Sequence, residues 1–154
     1  MECKQADLLK YLQGLTAFFQ PPMCALERFI LDHGKDFRGV KRPKGIRKRT
    51  NKMCYRNAAQ LSLERGFPYV EGFAVHNDLI AVFHAWCIND EQEVVDNTWR
   101  YPECSLYRGV VIPREILLRE ISARRIYGVL DYGMINLDLI DRMRAEFEKI
   151  ETKV

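Results

Sequence analysis

The spacing of apolar residues changes twice along this chain, and the order of these changes limits the fold more than any other feature. Apolar residues recur at helical spacing in residues 4–19 and again in the closing segment LDLIDRMRAEFEKI. Between them, apolar and polar residues follow a strand-like pattern in four segments: 69–76, 81–88, 93–99 and 106–112. The linkers between these segments are short, which favours antiparallel pairing. The sequence therefore predicts an α+β fold with an antiparallel β-sheet of about four strands.

A chain of 154 residues is long enough for one domain with a substantial core. We predict a single domain over residues 1–154 and divide it into a helical N-terminal region (1–34), a basic connector (35–50), a core (50–113) and C-terminal helices (113–151). The core is expected to open with a helix that has Thr50 or Asn51 as its N-cap and ends at Gly66.

Composition indicates an ordinary globular protein of the cytoplasm. Hydrophobic residues make up 47% of the chain, and no apolar run reaches the length of a membrane span. The opening segment MECKQADLLK lacks the hydrophobic core of a signal peptide. The five cysteines are odd in number and form no C-x-x-C pair, so reduced thiols are expected and one of them is free for chemistry.

Positive charge is concentrated in residues 41–52, KRPKGIRKRTNK, which hold seven of the 24 basic residues and no acidic one. The remaining 17 basic residues face 21 acidic ones, so the rest of the chain carries a net charge of −4. The segment is either a solvated loop or a contact for an anionic partner such as a phosphate, a nucleic acid or an acidic protein surface. It contains no aromatic residue, which argues against a stacking platform for single-stranded nucleic acid. The candidate anion-binding residues are Lys41, Arg42, Arg47, Lys48 and Arg49.

Residues 81–99, AVFHAWCINDEQEVVDNTW, predict a β-hairpin that holds His84 on its first strand and Asp96 on its second. Side chains alternate across a strand, so a loop with an odd number of residues places His84 and Asp96 on the same face. A three-residue loop, Asp90 to Gln92, makes the two residues diagonal neighbours, and a five-residue loop makes them directly opposite. Either register lets the carboxylate orient the imidazole and stabilise its protonated form.

A nucleophile for this pair is available at Cys54, in the first turn of the predicted third helix. Free backbone N–H groups and the helix dipole favour a thiolate there, and Lys52 adds to the positive field. The same N–H groups could hold an oxyanion formed by attack on a carbonyl. A zinc site built from Cys54, His84 and Asp96 is the alternative, although no fourth ligand is evident.

The segments CYRNAAQLSLE, YVEGFA, HAW, VVDNTW and YRGV, within residues 53–112, resemble the transglutaminase-like branch of the papain-like cysteine hydrolases. The likeness is greatest to small bacterial and phage proteins, and HAW followed by D-x-T-W is its most specific part. It implies a sheet packed against a central Cys-bearing helix with flanking helices. It also implies Cys54 as nucleophile, His84 as general base and acid, and Asp96 as orienting carboxylate. Family members often have proline after the Asp, whereas this chain has Asn97.

Further residues are expected to line or support the cleft: Asn57, Glu71, Trp86, Trp99 and Tyr107. Asn57 could hold a neighbouring loop, and Tyr107 could form a hydrogen bond near the site. Glu71 either lines the cleft, pairs with an arginine such as Arg56, or is an exposed strand charge. The tryptophans are expected as core and cleft walls.

Two hypotheses on function follow. The first is a cysteine-dependent acyl-transfer enzyme, either a protease, amidase or deamidase or a transglutaminase-type ligase, acting on a protein, peptide or small amide or ester through a thioester. It requires no metal or organic cofactor. The second is a non-catalytic binding or inhibitor module, such as one encoded by a phage, that binds an anionic ligand or a host protein through residues 41–52. Neither hypothesis calls for a membrane.

Overall fold

The computed structural model describes residues 5–20, 23–76 and 80–152. Within these ranges the helices are α1 (Gln5–Phe18), α2 (Ala25–His33), α3 (Cys54–Arg65), α4 (Arg114–Arg124) and α5 (Leu137–Glu151). The strands are β1 (Lys35–Arg38), β2 (Tyr69–His76), β3 (Val82–Ile88), β4 (Val94–Val95) and β5 (Ser105–Ile112). A single 3₁₀ turn at Pro102–Cys104 leads into β5.

The strands form one antiparallel sheet in the order β1-β5-β2-β3-β4. The two longest strands, β2 and β5, pair along their whole length at its centre, with Gly72 opposite Gly109. A Cβ atom added at Gly72 would lie 2.1 Å from the Arg108 carbonyl oxygen, so the close approach of these strands requires glycine at this position. At the other side of the sheet, β4 pairs only with Cys87 and Ile88 of β3, and the rest of β3 has a strand neighbour on the β2 side alone.

Both faces of the sheet are covered. The larger core lies between the sheet and the helices, where the small side chains Ala58 and Ala59 let α3 lie close to β3. The Cys87 thiol donates to the Ala58 carbonyl at 3.2 Å across this contact. A smaller cluster on the opposite face includes Trp86 and Tyr107. Because side chains alternate along β3, His84 lies on the same face as Trp86.

The predicted α+β class is confirmed, and so is the helix end at Gly66, which takes the left-handed conformation with φ of 79°. The sheet has five strands where about four were predicted. β1 lies inside the segment predicted as a connector, where it pairs with β5 and buries Phe37. Its four residues, KDFR, contain one apolar side chain and therefore carry no periodic signal. The free edge of β5, a tertiary feature, is what makes this segment a strand.

The start of α3 also differs from the prediction. Thr50 and Asn51 do not cap the helix, because Lys52 adopts a left-handed conformation (φ 64°) and Met53 is the N-cap residue. Cys54 is consequently the first residue of the helix. The last predicted strand segment of the hairpin is shorter than expected, since β4 ends at Val95 and Asp96 lies just beyond it.

Among the described residues, no helix combines the length and the apolar character needed to cross a lipid bilayer.

Candidate active site

The hairpin of β3 and β4 places His84 and Asp96 on the same face of the sheet. Its loop spans three residues, Asp90 to Gln92, closed by a hydrogen bond of 3.0 Å from the Asn89 backbone N–H to the Glu93 carbonyl. Gln92 takes the left-handed conformation that such loops require, with φ of 61°. Cys87 pairs with Val95, so the register makes His84 and Asp96 diagonal neighbours.

The imidazole and the carboxylate are in direct contact and shielded from water. His84 Nε2 lies 2.8 Å from Asp96 Oδ2, and the two side chains are 3% and 0% exposed. Tyr107 Oη donates to the same oxygen at 2.9 Å. The pair therefore has a fixed geometry, which sets the orientation of the ring and the tautomer of the neutral histidine.

Asp96 ends the strand because its own carboxylate captures the backbone that follows. Oδ1 accepts hydrogen bonds from the backbone N–H groups of Thr98 at 2.7 Å and Trp99 at 3.2 Å. Two N–H groups that point at a side chain cannot extend a β-ladder, so the chain turns away from β3. The turn brings the Trp99 ring onto the His84 imidazole, with ring centroids 4.0 Å apart and planes 16° from parallel.

The electrostatics of the pair favour the ion pair of imidazolium and carboxylate. Burial alone would lower the pKa of His84, but the charge of Asp96 and the hydrogen bonds to Asp96 and Cys54 outweigh it and raise that pKa to about 9. Burial alone would raise the pKa of Asp96, but the positive charge of His84 and the hydrogen bonds from His84, Thr98 and Trp99 lower it. At neutral pH the imidazole is therefore held protonated.

Cys54 lies next to this pair, half-buried, at the first residue of α3. Cys54 interacts with His84 closely enough to be among the groups that raise the pKa of the imidazole. Because Nε2 faces Asp96, Nδ1 is the ring nitrogen left for the thiol. The first backbone bond within the helix runs from the Asn57 N–H to the Met53 carbonyl, and Met53 offers no side-chain cap. The N–H groups of the first turn thus lie beside the thiol without a capping side chain from Met53.

Asn57 joins the helix of the cysteine to the loop of the aspartate. Its Nδ2 donates to the Thr98 hydroxyl at 3.0 Å and to the Thr50 carbonyl at 2.8 Å. In return, Asn97 Nδ2 donates to the Asn57 carbonyl at 3.1 Å. Asn97 is thus buried and fastens the strand exit to α3. These bonds keep Cys54 and Asp96 in register although they come from separate elements.

A cavity of about 850 Å³ is lined by both Cys54 and His84, whereas Asp96 is buried behind the imidazole. Trp99, Tyr55 and Phe83 supply aromatic walls. The described lining also includes basic side chains, at Lys48, Lys52 and Arg100, and the ring of His76.

Two of the residues predicted to line or support the cleft lie elsewhere. Trp86 is fully buried in the smaller core cluster, 6.2 Å from His84 between ring centroids, and does not line the cavity. Glu71 is fully buried and neither lines the cavity nor pairs with Arg56. Its carboxylate accepts hydrogen bonds from the Tyr69 hydroxyl and from the backbone N–H groups of Val129 and Leu130. Glu71 instead fastens the segment between α4 and α5 to the sheet.

The basic segment divides into structural and cavity-facing residues. Arg42 donates to the carbonyls of Ile46 and Trp99, and Arg49 pairs with Glu64 at 3.1 Å. Lys41 and Arg47 are exposed and do not line the cavity over Cys54. Of the five predicted anion-binding residues, only Lys48 lines that cavity.

Several residues at the site, including the cavity walls Tyr55 and Phe83, were not singled out from the sequence as site residues. Thr98 and Arg100 flank Trp99, so their closeness to the D-x-T-W pattern could have indicated them. Lys52 is two residues before Cys54, but its left-handed backbone carries no sequence signal. His76 ends β2. Its Nδ1 lies 2.7 Å from the Ser105 hydroxyl oxygen, and its ring packs at a tilt on the Trp99 ring.

The arrangement does not converge on a metal ion. His84 Nε2 and the Asp96 carboxylate are in direct contact at 2.8 Å, so these two groups bind each other and do not bind a shared ion. Within the part of the chain that the structure describes, no group of three or more His, Cys, Asp or Glu residues is placed to hold a metal.

Comparisons of this chain with protein-family models, with curated proteins and with solved structures find no match.

Proposed function

We propose that this protein is a cysteine-dependent acyl-transfer enzyme in which Cys54, His84 and Asp96 form the catalytic triad. One observation carries the proposal: a buried imidazole, held at 2.8 Å by Asp96, lines the same cavity as a half-buried thiol that raises its pKa. A buried histidine in the core would not need an oriented ring, a cysteine partner and an open cavity at once. The resemblance to transglutaminase-like cysteine hydrolases supports the same assignment.

The chemistry follows from the geometry. The Cys54 thiolate attacks the carbonyl carbon of an amide or ester, and the carbonyl electron pair moves onto oxygen. The N–H groups of the first turn of α3, where Cys54 lies, are the proposed donors to that oxyanion. As the intermediate collapses, the bond to the leaving group breaks and the His84 imidazolium gives its proton to the leaving amine or alcohol. A thioester on Cys54 remains.

The second half of the reaction uses the same residues in reverse. Neutral His84 takes a proton from water or from an amine, which attacks the thioester carbonyl and releases the Cys54 thiolate. Water gives hydrolysis, and an amine gives transamidation. Asp96 holds the ring in place throughout and stabilises its charged form.

The test is the pH dependence of Cys54 alkylation by iodoacetamide in the wild type and in His84→Ala, followed site by site through peptide mass spectrometry. We expect Cys54 to react quickly near pH 6, where an ordinary cysteine is almost wholly a thiol, and to slow at least tenfold without His84. Exposed Cys104 is the internal reference for an ordinary thiol, and buried Cys87 is the reference for an inaccessible one. A Cys54 rate that follows that of Cys104 across the pH range in both proteins would overturn the proposal.

A second candidate function is a non-catalytic module that binds an anionic ligand or protein. The basic side chains in the cavity wall favour it. If the protein is such a module, Cys54→Ala should leave binding intact. If it is an enzyme, the same variant should lose its activity and keep its fold.

A further inference from the structure

Three basic side chains lie around the cavity that holds the candidate nucleophile. Lys48 and Lys52 come from the segment just before α3, and Arg100 follows the loop that carries Asp96 and Trp99. All three are exposed. Among the described lining residues there is no aspartate or glutamate, so the wall of this cavity carries positive charge that its own described residues do not balance.

These cations differ from the structural arginines nearby. Arg49 is neutralised by Glu64, and Arg42 is bound to two backbone carbonyls. By contrast, none of Lys48, Lys52 and Arg100 forms an ion pair with a carboxylate of the described residues. Their charge is therefore available to a ligand in the cavity, and a cleft lined by one sign of charge raises the local concentration of ions of the opposite sign.

Two of the cations are also held in place. Lys48 Nζ donates to Asn51 Oδ1 at 2.7 Å and to the Arg49 carbonyl at 3.1 Å. The Arg100 guanidinium lies over the Tyr101 ring, 5.2 Å from its centroid. The third, Lys52, is only two residues from Cys54, so its backbone moves with the nucleophile. A substrate carbonyl placed on Cys54 thus lies in a cavity whose wall carries these three positive charges.

The apolar lining suggests what carries the negative charge. Tyr55, Phe83 and Trp99 form walls that suit the aliphatic stem or aromatic ring of a peptide side chain more than a free inorganic anion. An acidic peptide presents such side chains and carboxylates on one flexible strand.

We propose that the acyl donor of this enzyme is an acidic peptide segment, in which a carboxylate close to the reacting carbonyl is recognised by Lys48, Lys52 and Arg100. This inference rests on the proposed function of Cys54. It assigns these three residues to substrate selection, and it gives them no part in bond making.

The first experiment compares two reagents of similar size that alkylate Cys54, anionic iodoacetate and neutral iodoacetamide. The ratio of their rates at Cys54, divided by the same ratio for N-acetylcysteine amide, measures attraction of the anion at the site. We expect a ratio at least about fivefold above the reference at low salt, falling as salt is added. In the triple variant Lys48→Gln, Lys52→Gln, Arg100→Gln the excess should fall by at least about threefold, the remainder coming from the His84 imidazolium.

A matched control removes the same net charge elsewhere. Lys41→Gln, Lys44→Gln, Arg47→Gln takes three exposed cations from the same basic segment, none of which lines this cavity. This variant should keep the wild-type ratio. If the ratio falls as much in this control as in the triple variant of Lys48, Lys52 and Arg100 (the cavity variant), the attraction comes from the total charge of the basic segment. That result would overturn the assignment to these three residues.

The second experiment tests the peptide class with N-acetyl-Glu-Phe and N-acetyl-Gln-Phe chloromethyl ketones, which differ only in one carboxylate. We expect the Glu reagent to inactivate Cys54 about fivefold faster, and the preference to vanish in the cavity variant. Equal rates for the two reagents, with Cys54 still fast, would overturn this inference and leave the proposed function standing. Slow reaction of Cys54 with every reagent would instead refute the proposed function, and the inference with it.

Discussion

Two buried carboxylates of this protein, Asp96 and Glu71, accept nearly the same kinds of hydrogen bond, but their pKa values are shifted in opposite directions. Each accepts from two backbone N–H groups and from one tyrosine hydroxyl, that of Tyr107 for Asp96 and that of Tyr69 for Glu71. Burial raises the pKa of Glu71 to about 7 in spite of these donors. The pKa of Asp96 is lowered, because the positive charge of His84 is added to a similar set.

The comparison shows that hydrogen bonds alone do not keep a buried carboxylate ionised here, whereas a contacting cation does. It also separates two uses of a buried acid. Glu71 holds the chain segment between α4 and α5, because its two backbone donors, the N–H groups of Val129 and Leu130, belong to that segment. Asp96 holds a side chain that faces a cavity and a thiol. The first use serves stability, and the second is the one expected of a catalytic site.

The largest expected effect is on stability, at Glu71. Glu71→Ala should lower the free energy of unfolding by about 4 kcal/mol, since three buried donors lose their acceptor and a cavity is left. Urea denaturation at pH 6 measures it, and faster amide hydrogen exchange at Val129 and Leu130 should accompany it. Glu71→Gln, which keeps one acceptor oxygen, is the control and should cost about half as much. A loss below about 1 kcal/mol for the alanine variant would show that this anchor is dispensable.

The second effect concerns reactivity and should appear only at Asp96. Asp96→Asn should slow Cys54 alkylation by iodoacetamide near pH 6 by roughly a hundredfold, because the imidazolium loses its counter-charge and the ring its orientation. Glu71→Gln, which makes the matched change of a buried carboxyl group to an amide at the other site, should stay within about twofold of the wild type. Equal slowing in both variants would mean that the effect comes from general destabilisation and not from the triad.

The third effect is the pH dependence of stability that Glu71 introduces. Its pKa is raised from 4.5 to about 7, so between these values the folded state keeps a proton that the unfolded state has released. The free energy of unfolding must then fall by roughly 2 kcal/mol as the pH rises from 5 to 8. His84, whose pKa is raised to about 9, adds a loss of the same sign above pH 6.5. Urea denaturation at several pH values should give a shallower fall in Glu71→Gln than in the wild type, and identical slopes would contradict the assignment.

The smallest effect separates the two tyrosines. Tyr69→Phe and Tyr107→Phe each remove one hydroxyl donor from a buried carboxylate and should cost about 1 kcal/mol of unfolding free energy. Only Tyr107→Phe should also raise the pKa of His84, by about half a pH unit, because Asp96 Oδ2 then shares its charge with one donor fewer. Titration of the His84 ring protons by NMR measures this. The same change in Tyr69→Phe would be an unexpected coupling between the two sites.

Much of the candidate site could be predicted from the sequence because its geometry depends on local rules. The odd number of loop residues between β3 and β4 fixes the shared face of His84 and Asp96 through the alternation of side chains. The link from Asn57 to a neighbouring loop was expected, and the structure identifies that loop as the one containing Thr98. The position of Asp96 just outside β4 was not expected, because it depends on hydrogen bonds from the backbone N–H groups of Thr98 and Trp99 to the Asp96 carboxylate.

The alternating and helical spacings of apolar residues thus determined the α+β class by themselves. The same spacings placed a cysteine at the start of a helix, and a histidine and an aspartate on the hairpin that follows. Only the tertiary structure decided which charges are buried, paired or free. β1 became a strand because the edge of β5 was open, Glu71 became an anchor because residues 129–130 fold back onto it, and Lys48, Lys52 and Arg100 came to surround one cavity. The physical reason is range. Periodicity is a property of residues that are neighbours in the chain. Burial and charge pairing depend on contacts between residues tens of positions apart, and local sequence patterns do not predict those contacts.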